Sequence, residues 1–345
     1  MHEVDFLPVE SESGMGSKSG DAIALRFTVE AEQRNAGMVI DGGFSHVGES
    51  LADHIFQYYE TDIVDLAIST HPDADHLNGL TTLIEKTQVK ELLIHQPRLH
   101  TYDVSDFSNL EALDSLISLA KSRGVKITEP FTGVTRFDGQ IAILGPTVEY
   151  YEDLLGQHLT EARGGLSHTS KSSFGSTVRD LLSRTLSYLP IETLGEDGET
   201  SPRNSTSAIT LLREGSERLL FTGDSGIRAL DKACDEYERI VGAFSAAPLN
   251  FFQAPHHGSR RNLSPSILDR ILGTRSAPYA NVTSFISSAK VSEKHPSPKV
   301  VNALSRRGCE VFATEGRTIH HGRGAPVRMN WTTLTPFGPL SEEDA

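Results

Sequence analysis

His71-Pro72-Asp73-Ala74-Asp75-His76 puts four metal-capable side chains between an apolar run at residues 63–68 and the apolar positions Leu77, Leu80, Leu83 and Ile84. The run is strand-length and the later positions recur at helical spacing, so the six residues form the loop between a buried strand and a helix. On extended backbone alternate side chains share a face, so His71 and Asp73 point the same way, while adjacent Asp75 and His76 diverge as the helix begins. Such a geometry serves two ions rather than one. The competing explanation is a polar helix cap, in which Asp73 or Asp75 accepts backbone N–H bonds and the histidines are incidental.

Other strand ends carry residues of the same kind. Leu219-Leu220-Phe221-Thr222-Gly223-Asp224 delivers a carboxylate after an apolar strand and a glycine that permits a sharp turn. Phe251-Phe252-Gln253-Ala254-Pro255-His256-His257-Gly258-Ser259 delivers two histidines, and Ser284-Phe285-Ile286-Ser287 is followed after a short loop by His295-Pro296. Asp41-Gly42-Gly43 closes an earlier strand. Sites in layered α/β proteins gather where strand ends meet loops, so five such ends converging on one place outweigh the cap explanation.

Around these motifs strands and helices alternate, as in layered α/β folds. Strands are expected at 22–27, 37–40, 63–68, 92–94, 125–127, 141–144, 208–212, 218–222, 249–253, 282–287 and 310–313, with helices at 47–59, beyond His76 and at 110–121. Residues 1–340 read as a single domain. An insertion or flap rich in Gly, Ser and Thr is expected at about 157–203, around one amphipathic helix bearing Val178, Leu181, Leu182 and Leu186, and 341–345 form an acidic tail.

The 345 residues carry a formal net charge of −14, which argues against a broad basic track for long nucleic acid. A phosphate substrate stays compatible, because two divalent ions add about four positive charges where an anion would sit. No apolar run approaches the roughly 20 residues of a membrane helix, and the start lacks a secretory pattern, so the expectation is a cytoplasmic protein without a membrane partner. Cys234 and Cys309, the only cysteines, fall in an expected helix and strand and read as buried structural residues. His46, His54, His95, His100, His158 and His168 read as surface or helix residues, and His320-His321 as part of a late loop.

The ordered set DGG, HPDADH, TGD, HHGS and HP resembles the metallo-β-lactamase superfamily, specifically the hydrolase domain of ComEC-type DNA-uptake proteins and their standalone relatives, over residues 20–336. The resemblance implies a four-layer αββα sandwich and a metal-dependent hydrolase. It implies that His71 and Asp73 hold one metal, Asp75 and His76 the other, and that Asp224 bridges them. His257 or His295 completes the second set, with His256 as the alternative ligand, and Asp41 orients the ligands from behind. Two departures stand out. In the first, Asp73 occupies the place of a second histidine, and the histidine expected before the TGD strand is replaced by Asn204-Ser205-Thr206-Ser207; in the second, the membrane and OB-like regions of ComEC-type proteins have no counterpart here, so DNA transport is not expected.

The extra carboxylate shifts metal preference from zinc towards manganese, with magnesium also compatible. A metal pair about 3.5–4 Å apart would activate water for phosphodiester hydrolysis of DNA, RNA or a nucleotide. Asp75 and Asp41 support that chemistry, and the ring of His256, His257 and His295 not used as ligand protonates the leaving oxygen. Ser259, Arg260, Arg261 and Asn204 are candidates for binding phosphate oxygens. Hydrolysis of an ester, thioester or lactam on the same fold, and a non-catalytic binding module, are the alternatives.

Overall fold

The computed structural model describes every residue except 12–17, 102–108, 163–191, 293 and 343–345. Six strands of the first half, β1 (His2–Phe6), β2 (Ala22–Val29), β3 (Arg34–Gly42), β4 (Leu66–Ile68), β5 (Glu91–Leu93) and β6 (Lys126–Thr128), build one sheet. A second sheet takes β7 (Thr135–Arg136), β8 (Ile141–Gly145), β9 (Ile209–Glu214), β10 (Glu217–Phe221), β11 (Phe251–Gln253), β12 (Val282–Ile286) and β13 (Cys309–Ala313) in sequence order. The last strand, β14 (Ile319–Arg323), returns to the first sheet beside β1, so each sheet has seven strands.

Both sheets follow one plan. An antiparallel meander, β1 to β3 or β8 to β10, leads into parallel strands, β3 to β6 or β10 to β13. Parallel neighbours need crossovers that return the chain to the starting edge, so their C-terminal ends lie together.

The sheets face each other across an apolar layer. Phe251 meets Phe6, Phe221 and Phe285 there, with ring centroids 5.9, 5.4 and 5.2 Å apart. The helices Val47–His54, Gly79–Lys86 and Leu110–Ser122 bury their apolar stripes on the outer face of the first sheet. Val148–Ala162, Ile227–Ile240, Pro265–Leu272 and Pro298–Ser305 cover the second. The result is the four-layer αββα sandwich. Cys234 and Cys309 are buried free thiols within it.

Some local expectations need correction. The run at 63–68 is broken by Asp65, whose carboxylate accepts from Gly37 N and pairs with Lys90; Ile63–Val64 forms a small ribbon with Gln88–Val89, and only Leu66–Ile68 enters the main sheet. The helix expected beyond His76 begins inside the motif, at Ala74–Leu77. His320 and His321 lie on β14, not in a loop. His95 is neither at the surface nor on a helix; it is buried and stacks on Tyr151. The amphipathic helix expected within the insertion lies outside the described residues, as do His168 and most of the acidic tail. Among the described residues no helix is long and apolar enough to cross a membrane.

Candidate metal centre

The C-terminal ends of the parallel strands converge on one carboxylate. Asp224, which follows β10, is 3 % exposed and sits among four imidazoles. Its Oδ2 lies 3.8 Å from His71 Nε2 and 3.6 Å from His256 Nε2, and its Oδ1 lies 3.6 Å from His76 Nε2 and 3.9 Å from His257 Nε2. The carboxylate thus faces a pair of rings on each side. All four separations exceed a hydrogen bond, and among the described residues His71 Nε2, His76 Nε2 and Asp224 Oδ1 are buried with no partner.

The far side of each ring decides which nitrogen carries the proton. His76 Nδ1 is 2.8 Å from Asp41 Oδ2, a pure acceptor, so Nδ1 is the protonated nitrogen. His71 Nδ1 is 3.0 Å from Thr70 Oγ1, which spends its own proton on Asp41 Oδ2 at 2.6 Å; the threonine oxygen therefore accepts from the ring. His257 Nδ1 donates to the carbonyl of Ser287 at 3.1 Å. His256 Nδ1 is 3.1 Å from Asn262 Oδ1, and that amide is oriented by its Nδ2, which donates to the carbonyls of Asp224 and Ser225. His71, His76 and His257 consequently turn an Nε2 lone pair toward a carboxylate that offers only lone pairs, while His256 Nδ1 stands between the Asn262 oxygen and the Asn204 amide nitrogen at 3.1 and 3.2 Å.

Lone pairs on both sides repel one another unless cations stand between them. The donor set of imidazoles and carboxylates, deprotonated toward the cluster and anchored behind, fits divalent metal ions. Burial pushes His257 well below the usual imidazole value, keeping it neutral and able to ligate.

Backbone geometry supports the convergence. His256 and His257 both adopt positive φ, 49° and 58°, an unfavourable region for non-glycine residues, and so aim consecutive rings at opposite oxygens of Asp224. Gly42 and Gly79 are in contact, and a Cβ on Gly79 would collide with the Gly42 carbonyl. That close approach seats the Gly79–Lys86 helix against the end of β3 and leaves Asp41 behind His76. The turn carrying Asp224 is held by Gln253, whose Oε1 accepts from Thr222 N and Gly223 N at 2.9 and 3.2 Å.

Asp75 joins His76 and His257 in one ligand-sized group. Asp73 is the N-cap of Ala74–Leu77 yet makes no side-chain cap bond, so the cap explanation fails there. Its Oδ2 stands 3.7 Å from His71 Nε2, and its Oδ1 lies 2.7 Å from Arg203 Nε. His295 does not face Asp224; it stacks on His256 at 6.0 Å, and its Nδ1 is buried without a partner. Burial and His256 lower its pKa to about 4. Asn204 contacts His256 Nδ1 at 3.2 Å, while Ser259 and Arg260 border a cavity beyond His256.

Several participants escaped the sequence reading. Asp21 at the start of β2 is buried 3.8 Å from His76 Nδ1, and burial, with Asp224 and Asp41 adding to it against His76, pushes its pKa up to about 7. An isolated aspartate after a Gly/Ser-rich opening gives no signal. Thr70, Asn262 and Arg203 lie close in sequence to recognised motifs, but their roles depend on hydrogen-bond direction.

Two facing seven-stranded sheets between helix layers, with this cluster at the strand ends, define a chain of the metallo-β-lactamase fold with clustered candidate metal ligands. No family model matches it, and no curated protein matches it. It is similar to the metallo-β-lactamase fold protein YhfI from Bacillus subtilis, at 12 % identity over 93 % of this chain and 99 % of that one, with TM-score 0.46. A diphosphatase of the PhnP family is similar at 11 % identity over 95 % and 100 % of the two chains, with TM-score 0.40. The diiron β-hydroxylase CmlA from Streptomyces venezuelae is similar at 14 % identity over 92 % of this chain, with TM-score 0.38; the chain spans about half of CmlA, 46 %.

Proposed function

We propose that the protein is a two-metal phosphodiesterase acting on a short nucleic acid or a nucleotide, akin to the hydrolase domain of ComEC-type proteins. The observation that carries this reading is the paired cluster on Asp224, with two imidazoles facing each carboxylate oxygen. His71, His256 and Asp73 would hold one metal with Oδ2, and His76, His257 and Asp75 the other with Oδ1. Four imidazoles favour manganese or zinc over magnesium. His256 takes the place of the histidine that is missing before β10.

When bound, such a metal pair acidifies a water and polarises the attacked phosphoryl group. The chain's own contribution is orientation. Asp41 fixes His76 directly and His71 through Thr70, and Asn262 and the Ser287 carbonyl fix His256 and His257. A cavity of about 450 Å³ opens over the cluster, and Lys18 and Lys294 at its edge favour an anionic substrate. His295 borders the same cavity and is free of Asp224, so it hydrogen-bonds the leaving oxygen.

Purified protein loaded with manganese or zinc is expected to hold two ions per chain by elemental analysis. It is expected to cleave single-stranded DNA, RNA, cyclic dinucleotides or bis-p-nitrophenyl phosphate, with Asp75→Ala as the blank. Faster turnover of lactones or nitrocefin than of every phosphodiester would replace this reading with acyl hydrolysis. Fewer than one ion per chain, with no thermal stabilisation by either metal, would point to a binding module.

A further inference from the structure

The cavity over Asp224 adjoins a second lobe of about 700 Å³, and the two share His256, Ser292, Lys294 and His295 as a common wall. The lobes differ in charge. The first contains Asp73, Asp75 and Asp224, whereas no carboxylate lines the second among the described residues. Arg260, Arg261 and Lys294 stand exposed around the second lobe, and among the described residues none of them is paired with an acidic side chain. In a chain of net charge −14, three cations with no acidic partner among the described residues, gathered beside one cavity, call for an anion.

The base of the lobe is built as well. Ser297 is 5 % exposed, and among the described residues its Oγ has no partner although it precedes the Pro298–Ser305 helix as N-cap. A buried hydroxyl without a partner costs free energy unless a ligand satisfies it. Ser259, equally buried, lines the same space. Three cations, two hydroxyls and a helix N-terminus match an anion with several oxygens and more than one charge, which is a phosphate rather than a single carboxylate.

We infer that the second lobe is a phosphate subsite, so that the substrate carries a second phosphate next to the diester cleaved at the metal centre. This deepens the phosphodiesterase reading and rests on it for the first lobe. A short oligonucleotide with a terminal phosphate fills both lobes; an isolated diester such as bis-p-nitrophenyl phosphate fills only the first.

Two measurements test the inference. In the first, metal-loaded protein hydrolyses the dinucleotide dTpdT and its 5′- and 3′-phosphorylated forms. At least one phosphorylated form is expected to show a kcat/KM about 10-fold or more above the parent, because charge-assisted contacts hold the extra phosphate. In the Arg261→Ala/Lys294→Ala double variant the ratio falls to within about 2-fold. Equal kcat/KM for the three dinucleotides, or a preference that survives the double variant, overturns the subsite. The second measurement needs no turnover: calorimetric titration of the full chain with inorganic phosphate, with no metal added. Saturable binding that weakens about 10-fold in the double variant supports the subsite, and binding that is absent or unaffected overturns it. Should no diester be cleaved at all, the phosphodiesterase reading fails while the calorimetry still decides the subsite.

Discussion

Asp5 and Asp224 are both buried carboxylates ringed by histidines within one sandwich. Around Asp5 the neighbours are donors at bonding distance: Tyr59 Oη at 2.7 Å, Arg328 Nη1 and Nη2 at 2.7 and 2.8 Å, and His320 Nδ1 at 2.9 Å, with His54 Nε2 3.1 Å away. Around Asp224 the four ring nitrogens stand off at 3.6–3.9 Å, and the protons of His71, His76 and His257 are committed on the far side of each ring. The first cluster is complete as it stands and ties β1 to the segment after β14, where Arg328 also stacks on Tyr58 and Trp331. The second is complete only with cations. Residue composition hardly separates them; the direction of the protons does.

The most severe way to break the contrast is Asp224→Asn. Removing the shared carboxylate is expected to abolish stoichiometric metal retention after dialysis, a loss beyond the roughly 10–100-fold of a supporting residue. Retention of two ions per chain by this variant would refute the bridging role. At the other pole, Asp5→Ala leaves Arg328 with Glu3 as its remaining carboxylate partner and strips Tyr59 and His320 of their acceptor, and it is expected to cost about 3 kcal/mol in denaturant unfolding, with the metal content unchanged.

Asp5 also has a pH signature. Burial opposes its ionisation, but His320, His54 and Arg328 more than offset this, so its folded-state pKa lies below the unfolded value of about 3.9. Its contribution is therefore present in full above that value and is lost as the pH falls below it and through the lower folded-state pKa. The acid limb of the wild-type stability curve should be steeper than that of Asp5→Ala; superimposable limbs would contradict the account. His295→Ala is expected to lower kcat by about 100-fold while both ions remain bound. Loss of an ion would make His295 a ligand instead.

The sandwich was readable because buried strands and amphipathic helices impose periods of two and 3.6 on the chain, and the motifs fall at their ends. His71, Asp75, His76, Asp224, His256 and His257 meet because parallel strands deliver their C-terminal ends to one place. Neither the choice among His256, His257 and His295 nor the Asp5 cluster could be read this way. His257 follows His256 in a turn where positive φ at both residues sends their rings apart, a tertiary constraint with no local period. His54 and His320 lie some 266 positions apart, and their common partner Asp5 sits on a strand, HEVDF, whose polar residues are all buried against reasonable expectation.

Asp41→Asn sharpens the contrast with the smallest change, one oxygen exchanged for an amide nitrogen. The carboxylate now accepts three protons, from Thr70 N, Thr70 Oγ1 and His76 Nδ1. An asparagine keeps one acceptor oxygen and presents an N–H₂ group to the remaining partners. If the amide faces His76, donor meets donor, and relief comes from moving the ring proton to Nε2, where it points at Asp224 Oδ1 in place of a lone pair. Metal on the His76 and His257 side should then bind about 10–100-fold more weakly, while the His71 and His256 side is disturbed only through Thr70. Elemental analysis at limiting metal is expected to fall from two ions toward one, and imidazole ¹⁵N shifts should report Nε2 protonation at His76. Equal loss from both sides would mean that Asp41 supports the whole loop rather than one tautomer.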